Sequence, residues 1–385
     1  MLDRDELLPL ARRVMAHVLA GTTDQSDRVV RVPTDHYVDP ERWHHEIDVI
    51  FKRRPLGLAL SCELPQPGAY KATEVLGVPV LITRGTDGAV RAFLNVCRHR
   101  GALVVNGCGS ARRFSCPYHA WTYDDRGSLV GVYGESTFGE IDRDDHGLIP
   151  LPCEERAGFV FVVLSPGSTL DLDTWLGDYG TELSGLDLAD WHLTGQKRVE
   201  GASWKVCYDG YLEGYHFQSL HRNTLFPQTM SNLMVSDAWG PHQRVIFAKH
   251  SISAWSDLGE DEWELPTDHF GPVYTIFPHI SIAGGWGDRC LVSQLFPGPT
   301  PDRSYTIQSF LCRRPVVTDD DRAKADAYGQ FLYEVVRDED YATGIGIQRG
   351  LTATPGREVV FGRNEVTLQR FHAAVDQLLG EAERS

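Results

Sequence analysis

No stretch of this chain is apolar for long enough to cross a bilayer. The longest clear apolar run, residues 158–164, has the length of a buried strand. Basic charge is scarce: 37 Lys and Arg face 53 Asp and Glu, a formal net charge of -16. That balance excludes an interface built on nucleic-acid phosphates, which needs clustered Lys and Arg. Cysteine is sparse and scattered, with 8 in 385 residues, too few for a disulfide scaffold. Internal repeats and low-complexity segments are lacking too. The opening Met1-Leu2-Asp3-Arg4-Asp5-Glu6 is acidic where a signal peptide is basic. Arg12-Arg13 raises twin-arginine export, but a short amphipathic stretch carrying His17 follows, not an apolar core. These absences predict a cytoplasmic location, with no membrane span and no nucleic-acid partner.

What is present suffices for two domains with their own cores. Residues 6–20 have helical spacing, and residues 40–51 read as a helix capped by Asp39. From 56 to about 164 the pattern changes to short β-rich runs. Val80-Leu81-Ile82-Thr83, Asp87-Gly88 and Val90-Arg91-Ala92-Phe93-Leu94 together predict a hairpin. Beyond residue 165 the chain is mixed. Residues 203–221, 319–346 and 366–379 read as helices, and 245–313 as strands, which predicts a sheet with a helix packed into it.

Two constellations carry chemistry. Cys97-Arg98-His99 is followed, after sixteen intervening residues, by Cys116-Pro117-Tyr118-His119-Ala120-Trp121. Two thiolates on one iron and two imidazoles on the other make a Rieske 2Fe-2S centre. A Cys2His2 zinc site uses the same ligand types, but zinc fingers pair Cys with Cys and His with His. Here each pair is mixed, and both lie in β-rich sequence. Cys62, Cys108, Cys153, Cys207, Cys290 and Cys312 are expected as small core residues. Further on, Glu213-x2-His216-x4-His221 offers two imidazoles and a carboxylate, the ligand types of a non-haem Fe(II) centre with open positions. Alone, that spacing also suits a solvated helix face; the cluster motif upstream favours metal.

With its neighbours, the cluster motif resembles the paired loops of Rieske ring-hydroxylating oxygenases. The trailing Trp121-Thr122-Tyr123 and Gly127-Ser128-Leu129 belong to that pattern as well. The resemblance implies a third iron ligand from an Asp upstream of a Gln-Arg-Gly-Leu stretch. Asp340, ahead of Gln348-Arg349-Gly350-Leu351, occupies that place, with Asp338 as the register alternative. It also implies that Glu213 bridges a cluster histidine of one subunit to an iron histidine of its neighbour. Many members carry Asp there; Glu213 is similar to the carnitine- and betaine-type branch. Ser203 and Asp209 stand where the family often has Asn.

The fold implied is α+β: an all-β Rieske domain ahead of a helix-grip catalytic domain with an antiparallel sheet. The expected boundaries are 1–50 for N-terminal helices packed on the catalytic domain, 51–165 for the Rieske domain and 166–385 for the catalytic domain. The expected cofactors are a 2Fe-2S cluster on Cys97, His99, Cys116 and His119, and Fe(II) on His216, His221 and Asp340. The implied partners are a ferredoxin or flavin reductase, O2 and a small organic substrate, within a homotrimer. The implied activity is hydroxylation of an aromatic or other hydrophobic compound, or else oxidative demethylation of a small amine such as a betaine. An electron carrier alone would need only the cluster domain, and the His216, His221 and Asp340 set argues against it. The substrate pocket is expected within residues 245–310, with His279 as its polar exception. Trp239, Trp255, Trp263 and Trp286 are candidates for an aromatic cage, though packing is their ordinary role.

Overall fold

The computed structural model describes residues 4–265 and 268–382. The first three residues of the acidic N-terminus and the last three of the chain lie outside the described residues. The chain divides into two compact units: 51–180 with 188–190, and 1–50 with 181–187 and 191–385.

The smaller unit is built from short antiparallel strands. Five of them form one sheet in the order Pro150–Leu151, Val90–Leu94, Val78–Arg84, Ala69–Val75 and Cys108–Ser110. The expected hairpin is there, with Val80 opposite Leu94 and Arg84 opposite Val90. Gly88 takes φ 81° in its turn, which a side chain would resist. A three-stranded sheet, Arg113–Ser115, Thr122–Asp124 and Leu129–Gly131, carries the second Cys-His loop on its first turn. Phe93, Val104, Phe114, Trp121, Tyr123 and Leu129 pack around Cys97 and Cys116. Cys108, expected in a core, is exposed on its edge strand.

The larger unit holds a seven-stranded antiparallel sheet. Its order is His192–Gly201, Ser304–Cys312, Arg289–Pro297, Ile280–Gly284, Phe270–Ile276, His242–Lys249 and Thr229–Trp239. One face takes the helix Arg4–Ala20, whose Ala11, Val14 and Met15 pack against Leu233, Val235 and Ile246. The other face takes the short helix Trp204–Asp209: Tyr208 donates its hydroxyl to the carbonyl of Ile280, and Ser304 Oγ lies 3.5 Å from Cys207 Sγ.

Asp39 caps the helix Pro40–Glu46 through the backbone N–H of Arg42, as its sequence predicts. That helix delivers Glu46, fully buried, to Lys205 and Trp204. The helix expected over 203–221 stops at Gly210. Beyond it, Glu213 takes the backbone N–H groups of Tyr215 and His216 on its carboxylate. Gly214 meets Phe217 and Phe247 closely, where any Cβ would clash. A side chain thus replaces the backbone acceptor that a continuing helix would use. The C-terminal run is helical but changes pitch: α over Asp319–Glu334, π over Val335–Tyr341, α again over Ala342–Ala353. No helix among the described residues is long and apolar enough to cross a membrane.

Candidate metal centres

The first centre sits on two tight loops. Cys97 N–H bonds the carbonyl of Ala102, and Cys116 N–H that of Trp121, each at 2.8 Å. Each loop thereby turns its cysteine inward and its histidine to the rim. Cys97 and Cys116 are 3% and 4% exposed, while His99 and His119 are half-buried with ring centroids 4.8 Å apart. Trp121 stacks on His99 at 5.0 Å and 11°. Tyr123 Oη lies 3.5 Å from Cys97 Sγ and accepts the Arg98 N–H at 2.9 Å. Desolvation first, then His119 and Arg100, holds His99 below the usual imidazole range, which keeps it neutral as a metal ligand must be.

Four ligands of one zinc would lie within about 4 Å of one another. Among the described residues these four do not gather about a single point; only His216, His221 and Asp340 do. Two buried thiolates with two imidazoles beside each other fit a two-iron cluster better. His119 Nδ1 is buried with no hydrogen-bond partner, an atom that a metal would satisfy.

The second centre is assembled from distant segments. The ligand atoms of His216, His221 and Asp340 all lie within 4.8 Å of one another. Asp340 Oδ1 is 3.1 Å from His221 Nε2 and 3.6 Å from His216 Nε2. Atoms about 2.1 Å from a common ion at right angles stand ~3 Å apart, so the set fits a facial triad. Both Nδ1 atoms are held by carboxylates: Glu213 takes His216, and Glu339 takes His221 together with the Thr224 hydroxyl at 2.8 Å. That fixes each tautomer and aims both Nε2 atoms at the same point. Burial lowers the His221 pKa, but the bonds and charges of Asp340 and then Glu339 outweigh it, so the net shift is upward. A cation would take the place of that proton.

The π-helix Val335–Tyr341 brings Glu339 and Asp340 to the site together. An inserted residue of this kind often marks a functional site. Asp338, the register alternative, is exposed and paired with Arg337. Glu339 escaped sequence reasoning; the only signal was its place between two candidate aspartates.

A cavity of about 240 Å³ opens on His216 and Asp340. Val206, Leu220, Ile347, Leu351, Phe361 and Leu368 give it apolar walls, and Asp209 and Glu213 are its other carboxylates. It takes no lining from residues 245–310, contrary to expectation. That stretch instead supplies Val245, Phe247 and Val273, which pack with Met234 on Phe217, the neighbour of His216. His279 is fully buried against Phe296, its pKa pushed down to about 3 by burial, and lies outside the cavity. The tryptophans form no cage here. Trp255 and Trp263 stack at 5.1 Å in the core under the N-terminal helix, Trp286 packs against that core, and Trp239 lies under Arg244.

Residues 188–381 match the family of ring hydroxylating alpha subunits (catalytic domain), and residues 55–140 match the Rieske [2Fe-2S] domain. The chain belongs to the ring-hydroxylating alpha subunit family. In this family the two domains imply one 2Fe-2S cluster and one mononuclear iron per chain. Relatives include the carnitine monooxygenase oxygenase subunit of Acinetobacter pittii, 35% identical over 193 residues that cover 49% of this chain and 52% of the relative. The chain spans about half the length of the curated relatives it matches. The fold also matches a quaternary ammonium Rieske monooxygenase solved with L-carnitine (TM-score 0.76, 24% identity, 90% and 94% covered). Naphthalene 1,2-dioxygenase from Rhodococcus sp. matches with TM-score 0.73 and 21% identity over 98% and 99% of the two chains.

Proposed function

We propose that the chain is the terminal oxygenase component of a multicomponent Rieske oxygenase that hydroxylates a hydrophobic organic substrate with O2. The observation that carries this reading is the convergence of His216, His221 and Asp340 at the edge of an apolar cavity. Cys97, His99, Cys116 and His119 would hold the cluster, and His216, His221 and Asp340 the iron. When bound, the cluster relays single electrons from a ferredoxin or flavin reductase, and the iron activates O2.

The rest falls to the chain's own side chains. Glu213 and Glu339 fix the two imidazoles, Asp340 supplies the carboxylate, and the apolar walls offer a hydrophobic substrate a surface to pack against. Glu213 also serves as the inter-subunit electron bridge. Its Oε1 takes His216 Nδ1 and its Oε2 accepts the backbone N–H groups of Tyr215 and His216, which fixes the carboxylate beside the iron histidine. A head-to-tail homotrimer would bring a neighbour's cluster histidine to it.

A second reading, oxidative demethylation of a small quaternary amine, draws on the likeness to the carnitine monooxygenase subunit. The experiment is anaerobic reconstitution with metal analysis, then reductase-coupled turnover on aromatic compounds and on betaines. We expect one iron beyond the cluster and coupled product in one substrate class. A cluster with no additional iron would sink the oxygenase reading.

A further inference from the structure

One face of the seven-stranded sheet carries polar residues where a covered sheet ordinarily carries apolar ones. Gln243 stands opposite Thr275, Thr275 opposite Ser281, Ser281 opposite Ser293, and Ser293 opposite Gln308. Directly paired residues share a face, so five strands present one continuous polar row. All five residues are buried, at 2% exposure or less. One step along the strands, Val245, Val273, Ala283, Leu291 and Phe310 form a parallel apolar row.

This face is turned to the segments that carry the candidate iron ligands. Phe217, next to His216, packs on Val245 and Val273. Tyr341, next to Asp340, has its hydroxyl 2.5 Å from Thr306 Oγ1, two residues before Gln308 on the same face. Tyr211, two residues before Glu213, places its hydroxyl beside Ser293. The 240 Å³ cavity takes Val206, Asp209 and Gly210 from the opposite side of this segment. On the sheet side the cover is incomplete: Val273 and Ala283 lie on central strands and are only partly buried.

Among the described residues, Ser281 Oγ and both amide atoms of Gln308 are buried without a hydrogen-bond partner. Such groups weaken a fold that apolar side chains would not, so their place beside a reaction centre calls for a ligand. The two rows contain no Asp, Glu, Lys or Arg. Lys197, opposite Gln308 on the edge strand, is turned to Gln330 and the Tyr333 ring. We propose that Gln308 and Ser281 bind the polar group of the substrate, between the sheet and the iron ligands, and that this substrate is a neutral molecule: an apolar body carrying one carbonyl, amide or hydroxyl. Gln308 donates through Nε2 and accepts through Oε1, the Ser281 hydroxyl does either, and the apolar row holds the body. The inference rests on the oxygenase reading and narrows its substrate class.

The test uses full-length, metal-loaded protein under anaerobic conditions, with binding measured by equilibrium dialysis. The probes are matched pairs, indane with 1-indanone, tetralin with 1-tetralone and naphthalene with 2-naphthol, and L-carnitine. In at least one pair the oxygenated member should bind roughly tenfold or more tighter. Gln308→Met and Ser281→Ala should each remove most of that preference while the hydrocarbon binds as before. Iron content should be unchanged, and the Met variant should melt no lower than the wild type, because it loses an unpaired amide. No preference or no binding across all pairs would overturn the proposal, as would L-carnitine binding tighter than every neutral probe. A Gln308→Met variant that melts clearly lower, or loses both members of a pair alike, makes the row structural and overturns it too. Reductase-coupled turnover on the same probes separates the two readings. A binding preference without iron-dependent product removes the oxygenase reading; coupled product without the preference removes only the neutral-substrate inference.

Discussion

The two candidate metal centres are built in opposite ways. At Cys97, His99, Cys116 and His119, each loop is closed by its own backbone, and Trp121 and Tyr123 reach from the second loop to His99 and Cys97 of the first. At His216, His221 and Asp340, the partners come from far along the chain: Glu339 stands 118 residues beyond His221. A buried Glu46–Lys205 pair anchors the helix just upstream of the iron loop. A centre that only passes electrons needs rigid local loops with its histidines at the rim. A centre that must also admit substrate needs a cavity, and a cavity requires walls from several segments.

The largest expected effect tests that contrast directly. Asp340→Ala should abolish mononuclear iron binding and bring product formation below detection while the visible spectrum of the cluster stays unchanged. Iron analysis with absorption spectroscopy checks both, and loss of the cluster spectrum would break the independence of the two centres. Next is Lys205→Met, which leaves the buried Glu46 with Arg42 at 3.0 Å as its cation and the Trp204 indole N–H at 2.9 Å. Stability should fall by roughly 3 kcal/mol in urea unfolding; a loss under about 1 kcal/mol would mean that Arg42 suffices.

Glu213→Gln should retain both metals and slow product formation by ~100-fold, with the reduced cluster persisting under O2. Near-normal turnover would remove the bridge. Glu339→Gln should weaken iron affinity by about 10–100-fold, seen in chelator competition, with no change at the cluster. The smallest effect belongs to the cluster side. Tyr123→Phe removes a hydroxyl beside Cys97 Sγ that stabilises the more negative, reduced cluster. Its potential should drop by about 40 mV, the equivalent of a ~1 kcal/mol hydrogen bond for one electron. An unchanged midpoint in protein-film voltammetry would show that the hydroxyl serves Arg98 alone.

Legibility in the sequence follows the same division. The Cys-His loops, the hairpin around Gly88 and the Asp39 cap were legible because their partners lie only a few residues away. The 203–221 segment misled, because its apolar spacing is helical while the helix ends at Gly210 and Glu213 then takes the N–H groups of Tyr215 and His216. The buried face of the strand Ser304–Cys312 carries Ser304, Thr306 and Gln308, so apolar alternation does not reveal which side is covered. The aromatic-cage expectation failed for a related reason: Trp255 and Trp263 are consumed by the core beneath Ala11, Val14 and Met15.

The sequence alone therefore determined the identities of the metal-ligand candidates and the order of the two domains. Short-range chemistry at fixed spacing survives in one dimension. Only the tertiary structure brought Asp340 beside His216 and His221 while pairing Asp338 with Arg337, introduced Glu339, and joined Tyr37, Asp209 and His372. Those outcomes depend on the π-helical pitch at Val335–Tyr341 and on segments more than a hundred residues apart meeting in one core. No local pattern encodes such meetings, because packing of the whole sheet and its helices selects them.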